Sequence, residues 1–114
     1  MGDRVRIQMK DDEGNVGPIV YMHWHGSVAP DIIRQCAELM RERPNDVSYA
    51  TARLIGIAHT QIDGYLSLGV DNASEELTTT DSHGDAGVYV VECFGTWKAK
   101  AMGGYGEDFE ALEV

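Results

Sequence analysis

Apolar and polar residues alternate from the start of the chain. Val5, Ile7 and Met9 interleave with Arg4, Arg6, Gln8 and Lys10, the period of two expected of a half-buried strand. Asp11-Asp12-Glu13-Gly14-Asn15 is turn chemistry, with Gly14 and Asn15 tolerant of positive φ. Residues 16–25 then read as a second strand, so a hairpin opens the domain. Pro18 has no N–H to donate, which places it at a sheet edge or at the start of that strand.

After Gly26 the period changes. Ser27 can accept backbone N–H groups, Pro30 suits a first turn and Asp31 complements the helix dipole. Ile32, Ile33, Cys36, Ala37 and Met40 recur at three and four, one apolar stripe running to about Arg43 before Pro44 stops it. Asn45 or Asp46 caps a second helix, in which Val47, Ala50, Leu54, Ile55, Ala58 and Ile62 keep the period and Asp63-Gly64 ends it. The two together predict an αα-hairpin laid on a sheet.

Tyr65–Val70 alternates again, with Leu66, Leu68 and Val70 facing inward. Residues 71–85 are polar and acidic, and predict a mobile loop with room for a short edge strand. Two further strands follow, the β-branched and aromatic run from Gly87 to Phe94 and the run from Thr96 to Met102, where Trp97, Ala99 and Ala101 alternate with lysines. Gly95 between them marks a tight hairpin or a bulge. The order β-β-α-α-β-β-β predicts an α+β fold, a four- or five-stranded, mainly antiparallel sheet with both helices on one face. The single domain is expected over residues 1–102, with residues 103–114 as a glycine-rich linker and acidic tail.

Composition narrows the function classes. The chain has 114 residues, 43% of them apolar, enough for one core. No run approaches the roughly 18 apolar residues of a membrane helix, and no apolar leader opens the chain, so a cytoplasmic protein without membrane contact is expected. Cys36 and Cys93 sit in apolar patterns and read as buried free thiols. The formal charge is −10, and it is uneven: residues 1–45 carry six basic and seven acidic side chains, residues 46–114 three and twelve. Such acidity argues against duplex binding through phosphates. It suits either plain solubility or attraction to a basic partner, with Asp71, Glu75, Glu76, Asp81, Asp85, Glu107 and Asp108 as the acidic contact residues.

Candidate chemistry gathers in Val20-Tyr21-Met22-His23-Trp24-His25-Gly26-Ser27. In a strand, His23 and His25 would share one face, with Trp24 opposite in the core. With His83, and Asp81 or Asp85, they would make a divalent-metal site; the plainer alternative is a strand end with half-exposed rings. His25, Ser27 and the helix N-terminus would also suit a small phosphorylated ligand, with Tyr105 of Gly103-Gly104-Tyr105-Gly106 closing over it, although an ordinary cap and a flexible linker explain the same residues. His25-Gly26-Ser27-Val28 matches half of a two-histidine phosphoesterase pair, but His59-Thr60-Gln61-Ile62 does not supply the other half. Arg4, Arg6, Lys98 and Lys100 would share one outward face if their strands were neighbours.

The run from Val20 to Gly26 before a helix, with the Asp63-Gly64-Tyr65-Leu66-Ser67-Leu68 step, resembles small uncharacterised proteins carried by phages and prophages, in which a hydrophobic strand ends in a similar His-Trp-x-Gly step. The resemblance covers about the first 70 residues of the chain, and no catalytic residue carries over from it. It implies an inhibitor of host defence, acting as a protein blocker, a nucleic-acid mimic or a nucleotide trap. The expectation is therefore a non-enzymatic, cofactor-free protein that binds stoichiometrically, its partner a basic nucleic-acid-binding protein or a nucleotide held by His23, His25, Ser27 and Tyr105. The alternatives are a small metal-dependent hydrolase using His23, His25 and His83, or a homo-oligomeric structural protein.

Overall fold

The computed structural model describes residues 3–61 and 67–111. Eight regular elements follow one another: β1 (Val5–Lys10), β2 (Ile19–Met22), α1 (Ala29–Leu39), α2 (Val47–Gln61), β3 (Leu68–Asp71), β4 (Gly87–Glu92), β5 (Lys98–Met102) and β6 (Phe109–Glu110). The fold is α+β, and its sheet has six strands in the order β3-β2-β1-β4-β5-β6. It is mixed rather than mainly antiparallel. β1 and β4 lie parallel, with Val5 opposite Gly87 and Lys10 opposite Glu92, while the other neighbours are antiparallel.

The parallel pair has a physical origin in the segment 72–86. A parallel connection needs a crossover of about a dozen residues or more, usually a helix; here an acidic, non-helical stretch carries the chain from the edge strand β3 to the central strand β4. Its passage is fixed by Gln8, which faces away from the helices and is fully buried. Gln8 Nε2 donates to the carbonyls of Gly17 (3.1 Å) and Glu75 (3.0 Å), and Oε1 accepts from Leu77 N (2.8 Å). Leu77 then packs with Ile19, Val88 and Val90 as a second small core. The segment expected to be a mobile loop with an edge strand is thus a packed cover holding one short 3-10 turn, Thr79–Asp81.

The main core lies on the other face. Val5, Ile7 and Met9 of β1, with Val20, Met22, Tyr89 and Val91, meet Ile32, Ile33 and Cys36 of α1 and Ala50, Leu54 and Ala58 of α2. Both helices therefore cover one face, as the periodicity predicts. Asp46 caps α2 by accepting from Tyr49 N (3.0 Å), whereas Asn45 bonds Asp12. The predicted helix end at Ile62-Asp63-Gly64 and the strand start at Tyr65-Leu66 fall outside the described residues. Cys36 and Cys93 are buried free thiols.

The segment expected to leave as linker and tail returns to the sheet. Phe109 pairs with Ala99 and Glu110 with Lys98 to form β6, and Ala111 is buried. The glycines before it serve close packing. Gly87 has φ +88, and a Cβ on it would strike the Met102 carbonyl and the Gly104 backbone; one on Gly104 would strike Asp85 and Ala86. Two glycine backbones cross where no side chain fits. Among the described residues, no helix is long and apolar enough to cross a membrane.

Candidate functional site

The central short stretch does not stay extended. β2 ends at Met22, although His23 still pairs through its backbone, donating to Ser67 O (2.9 Å) and accepting from Asp3 N (3.1 Å). His25 then turns to φ −119, ψ 29 ahead of a short 3-10 turn, Gly26–Val28. The strand rule that would align His23 with His25 fails at this bend. His25 keeps its Nδ1 buried without a partner, and Trp24, expected in the core, is 52% exposed.

His23 instead joins residues from two other parts of the chain. Its Nδ1 lies 2.7 Å from Tyr21 Oη, and its ring meets Trp24 edge-on at 4.4 Å between centroids. Tyr21 in turn packs edge-on against His83 at 5.5 Å. Trp24, His23, Tyr21 and His83 thus form a continuous strip of rings, with His83 delivered by the segment that Gln8 pins. Arg6 stands opposite Tyr21 in the β1–β2 register, on the same face. Arg4 pairs with Asp85 (2.9 Å) and donates to the His83 carbonyl (3.1 Å). Burial holds the His83 imidazole below its ordinary value; Arg6 and Arg4 push the same way, against Asp85.

Comparison with known proteins finds no matching family, no matching curated protein and no matching solved structure. The site must be read from its own chemistry. His23 and His83 do come to one cluster, but among the described residues no three histidine, cysteine or acidic side chains gather as a metal site. The His23/His25/His83 metal set is therefore corrected: it needs the straight strand that the bend removes.

Ser27 and Tyr105 do meet, through Asp3, a residue that no local pattern singles out. Asp3 Oδ2 accepts from Ser27 N (2.9 Å), and Tyr105 Oη donates to Asp3 Oδ1. Burial opposes this carboxylate's charge, yet hydrogen bonds from Tyr105 and Ser27 outweigh it and hold its pKa below the ordinary value. Burial and Asp3 together push the Tyr105 phenol up to about 12. Two of the donors expected to receive a phosphorylated ligand, the Ser27 N–H and the Tyr105 hydroxyl, already hold the protein's own carboxylate. Tyr105 also borders an open groove of about 360 Å³, with Arg34, Glu107, Asp108 and Phe109, where Arg34 lies over the Phe109 ring at 4.5 Å.

The expected acidic contact residues divide into two groups. Asp71 sits in β3 at one sheet edge; Glu107 and Asp108 precede β6 at the other. Several already have partners: Asp85 with Arg4, Glu76 with Lys10 at 2.7 Å, Asp81 in the cap of its own 3-10 turn, and Asp108 accepting from Ala101 N. Asp71 and Glu75 are exposed and make no ion pair with the described residues. The four cations do not gather as expected, because β4 separates β1 from β5 and Lys100 pairs with Glu92 at 3.5 Å.

Proposed function

We propose that this chain is a non-enzymatic accessory protein of phage or mobile-element type that acts by stoichiometric binding, blocking a basic, nucleic-acid-binding protein of host defence. The observation that carries the reading is the polarity of one sheet face. At its Lys10 end lie Asp71, Glu75 and the Glu76–Lys10 pair; at its Arg6 end lies the ring strip from His83 to Trp24. Arg6 and Lys10 are four residues apart on one strand, so the two ends are separated by about 13 Å, within the span of an ordinary protein interface. Net charge would steer a basic groove toward the acidic end and fix its orientation, while an exposed tryptophan held by neighbouring rings is the kind of anchor that dominates binding energy. Nucleotide capture by His25, Ser27 and Tyr105 has less support, because Asp3 occupies the Ser27 N–H and the Tyr105 hydroxyl.

The test is a competition titration. Nucleic-acid-binding proteins from defence systems are loaded with labelled duplex DNA, and the chain is added at low and at high salt. Release at one-to-one stoichiometry, weakened by salt, is the expected result; Trp24→Ala should cost about tenfold or more in affinity, and Asp71→Asn with Glu75→Gln should mainly slow association. Release by catalytic amounts of the chain, or by wild type and Trp24→Ala alike, would overturn the reading.

A further inference from the structure

The Arg6 end of the same face carries an unmet electrostatic demand. Arg6 is half-buried and makes no hydrogen bond or ion pair with the described residues, and its Nε is sealed from solvent without an acceptor. A charged donor left in that state is costly, and native structures leave few such groups unexplained. The surroundings deepen the demand rather than relieve it. Arg4 just before β1 and Arg6 within it, His23 and Tyr21 from β2 and its end, and His83 and Asp85 from the segment before β4 all act on this spot. Two guanidiniums and the His23 ring thus act on or around His83 with one carboxylate among them, and that carboxylate is already committed to Arg4.

This concentration is out of character for the chain, which has ten more acidic than basic side chains. Its donors are also of the kind that oxyanions select: a planar guanidinium fork, imidazoles that gain a donor on protonation, and a phenol. We infer that Arg6, His83, His23 and Tyr21 form a subsite for a phosphate-type dianion, either inorganic phosphate or the phosphoryl group of a small ester. Trp24, edge-on to His23 and half exposed, is placed to meet a base attached to such a group. The subsite is distinct from the Ser27 helix end, whose donors Asp3 fills, and it stands whether or not the blocking function proposed above is correct.

The chain supplies its own controls in its two other histidines: His25 follows the end of β2 at the bend and makes no contact with the proposed donors that the structure shows, and His59 lies in α2, across the sheet. Histidine ring resonances are followed by NMR during titration with inorganic phosphate, with sodium chloride at matched ionic strength as reference. His83 and His23 should shift saturably and the His83 titration midpoint should rise, with His25 and His59 unmoved. Arg6→Gln should weaken the response at least tenfold, and Arg6→Lys should restore part of it, both with the remaining amide spectrum preserved. No saturable shift, equal movement of all four histidines, or an undiminished response in a folded Arg6→Gln would overturn the inference. Adenosine 5′-monophosphate separates the two sources of the phosphoryl group: tighter binding than phosphate, with quenching of Trp24 emission, assigns a nucleotide, and equal binding without quenching assigns the phosphoryl group alone.

Discussion

Replacing Gln8 by leucine should loosen the segment that delivers His83 and Asp85 while leaving the helix-covered core intact. The side chain is fully buried and makes three hydrogen bonds. Two of its partners, the Gly17 carbonyl and the Leu77 N–H, are buried with it; the Glu75 carbonyl lies where water can replace the lost donor. Each buried polar group left unpaired costs about 1–3 kcal/mol, and the apolar replacement recovers about 1 kcal/mol of that by shedding its own polar desolvation. The expected loss is about 1–5 kcal/mol, or a fall in Tm of roughly 4–20 °C at about 4 °C per kcal/mol for a chain of this size.

There is a ceiling on that loss. If the segment detaches locally, the penalty stops at the energy holding it down, chiefly the burial of Leu77, about 1.5–3 kcal/mol. The two cases differ in hydrogen exchange: local detachment exposes the amides of residues 75–82 well before those of β1 and β4, whereas a global effect lowers all of them together. Local detachment would also weaken the phosphate response of His83, since its backbone would no longer be held against Tyr21. A Gln8→Leu variant with unchanged Tm and a still-protected Leu77 amide would refute the claim that Gln8 pins the crossover.

Asp3→Asn tests the carboxylate beneath the α1 entrance. Its pKa is depressed in the folded state, so it contributes stability above the unfolded Asp value of about 3.9 and loses it as pH falls through the lower folded value; the difference in urea midpoint between wild type and variant should be largest at neutral pH and close in acid. A constant difference throughout would refute the role. Cys36 and Cys93 are buried, and burial pushes both thiols up to about 12, so a thiol reagent should label them only through unfolding, both at one rate that rises with urea. Rapid labelling in native buffer would contradict their placement.

How much of this was legible in the sequence depends on what kind of signal each element leaves. Periodicity carries the helices and the helix-facing strands, because Val5, Ile7 and Met9, or Ile32, Ile33 and Cys36, face a single core and repeat at one spacing. It fails where a residue is fixed by an individual bond. Gln8 reads as a solvent-facing position in an alternating strand, and nothing in its neighbours says that it is buried; only its three partners, up to 69 positions away, explain it. β6 is two residues long and leaves no period at all. At the site, His23 and His83 were visible as chemistry, but their convergence on Tyr21 required the β3–β4 crossover. Trp24 was misplaced because the alternation was carried three residues past Met22, to His25. Asp3 was missed because a lone carboxylate near a chain start has no local pattern; its partners are Ser27 and Tyr105, 24 and 102 positions distant.

The same crossover that hid the site from sequence also accounts for its chemistry. An ordinary helical connection between parallel strands would have covered this face with a second apolar layer, leaving no room for charged residues beneath it. The acidic segment covers only the middle of the face, where Leu77 meets Ile19, Val88 and Val90, and is held there by one buried amide side chain. Both ends of β1 therefore stay open, one beside carboxylates of the segment itself and the other beside its histidine. Arg6 has no carboxylate partner among the described residues, and Asp85 of the same cluster is drawn to Arg4, accepting from both its side chain and its backbone N–H. The unpaired guanidinium thus follows from the way the crossover is anchored. Asp85→Asn should accordingly strengthen the phosphate response of His83 by removing the nearest competing anion, even as it releases Arg4; a weaker response would mean that Arg4, and not Arg6, is the cation the ligand needs.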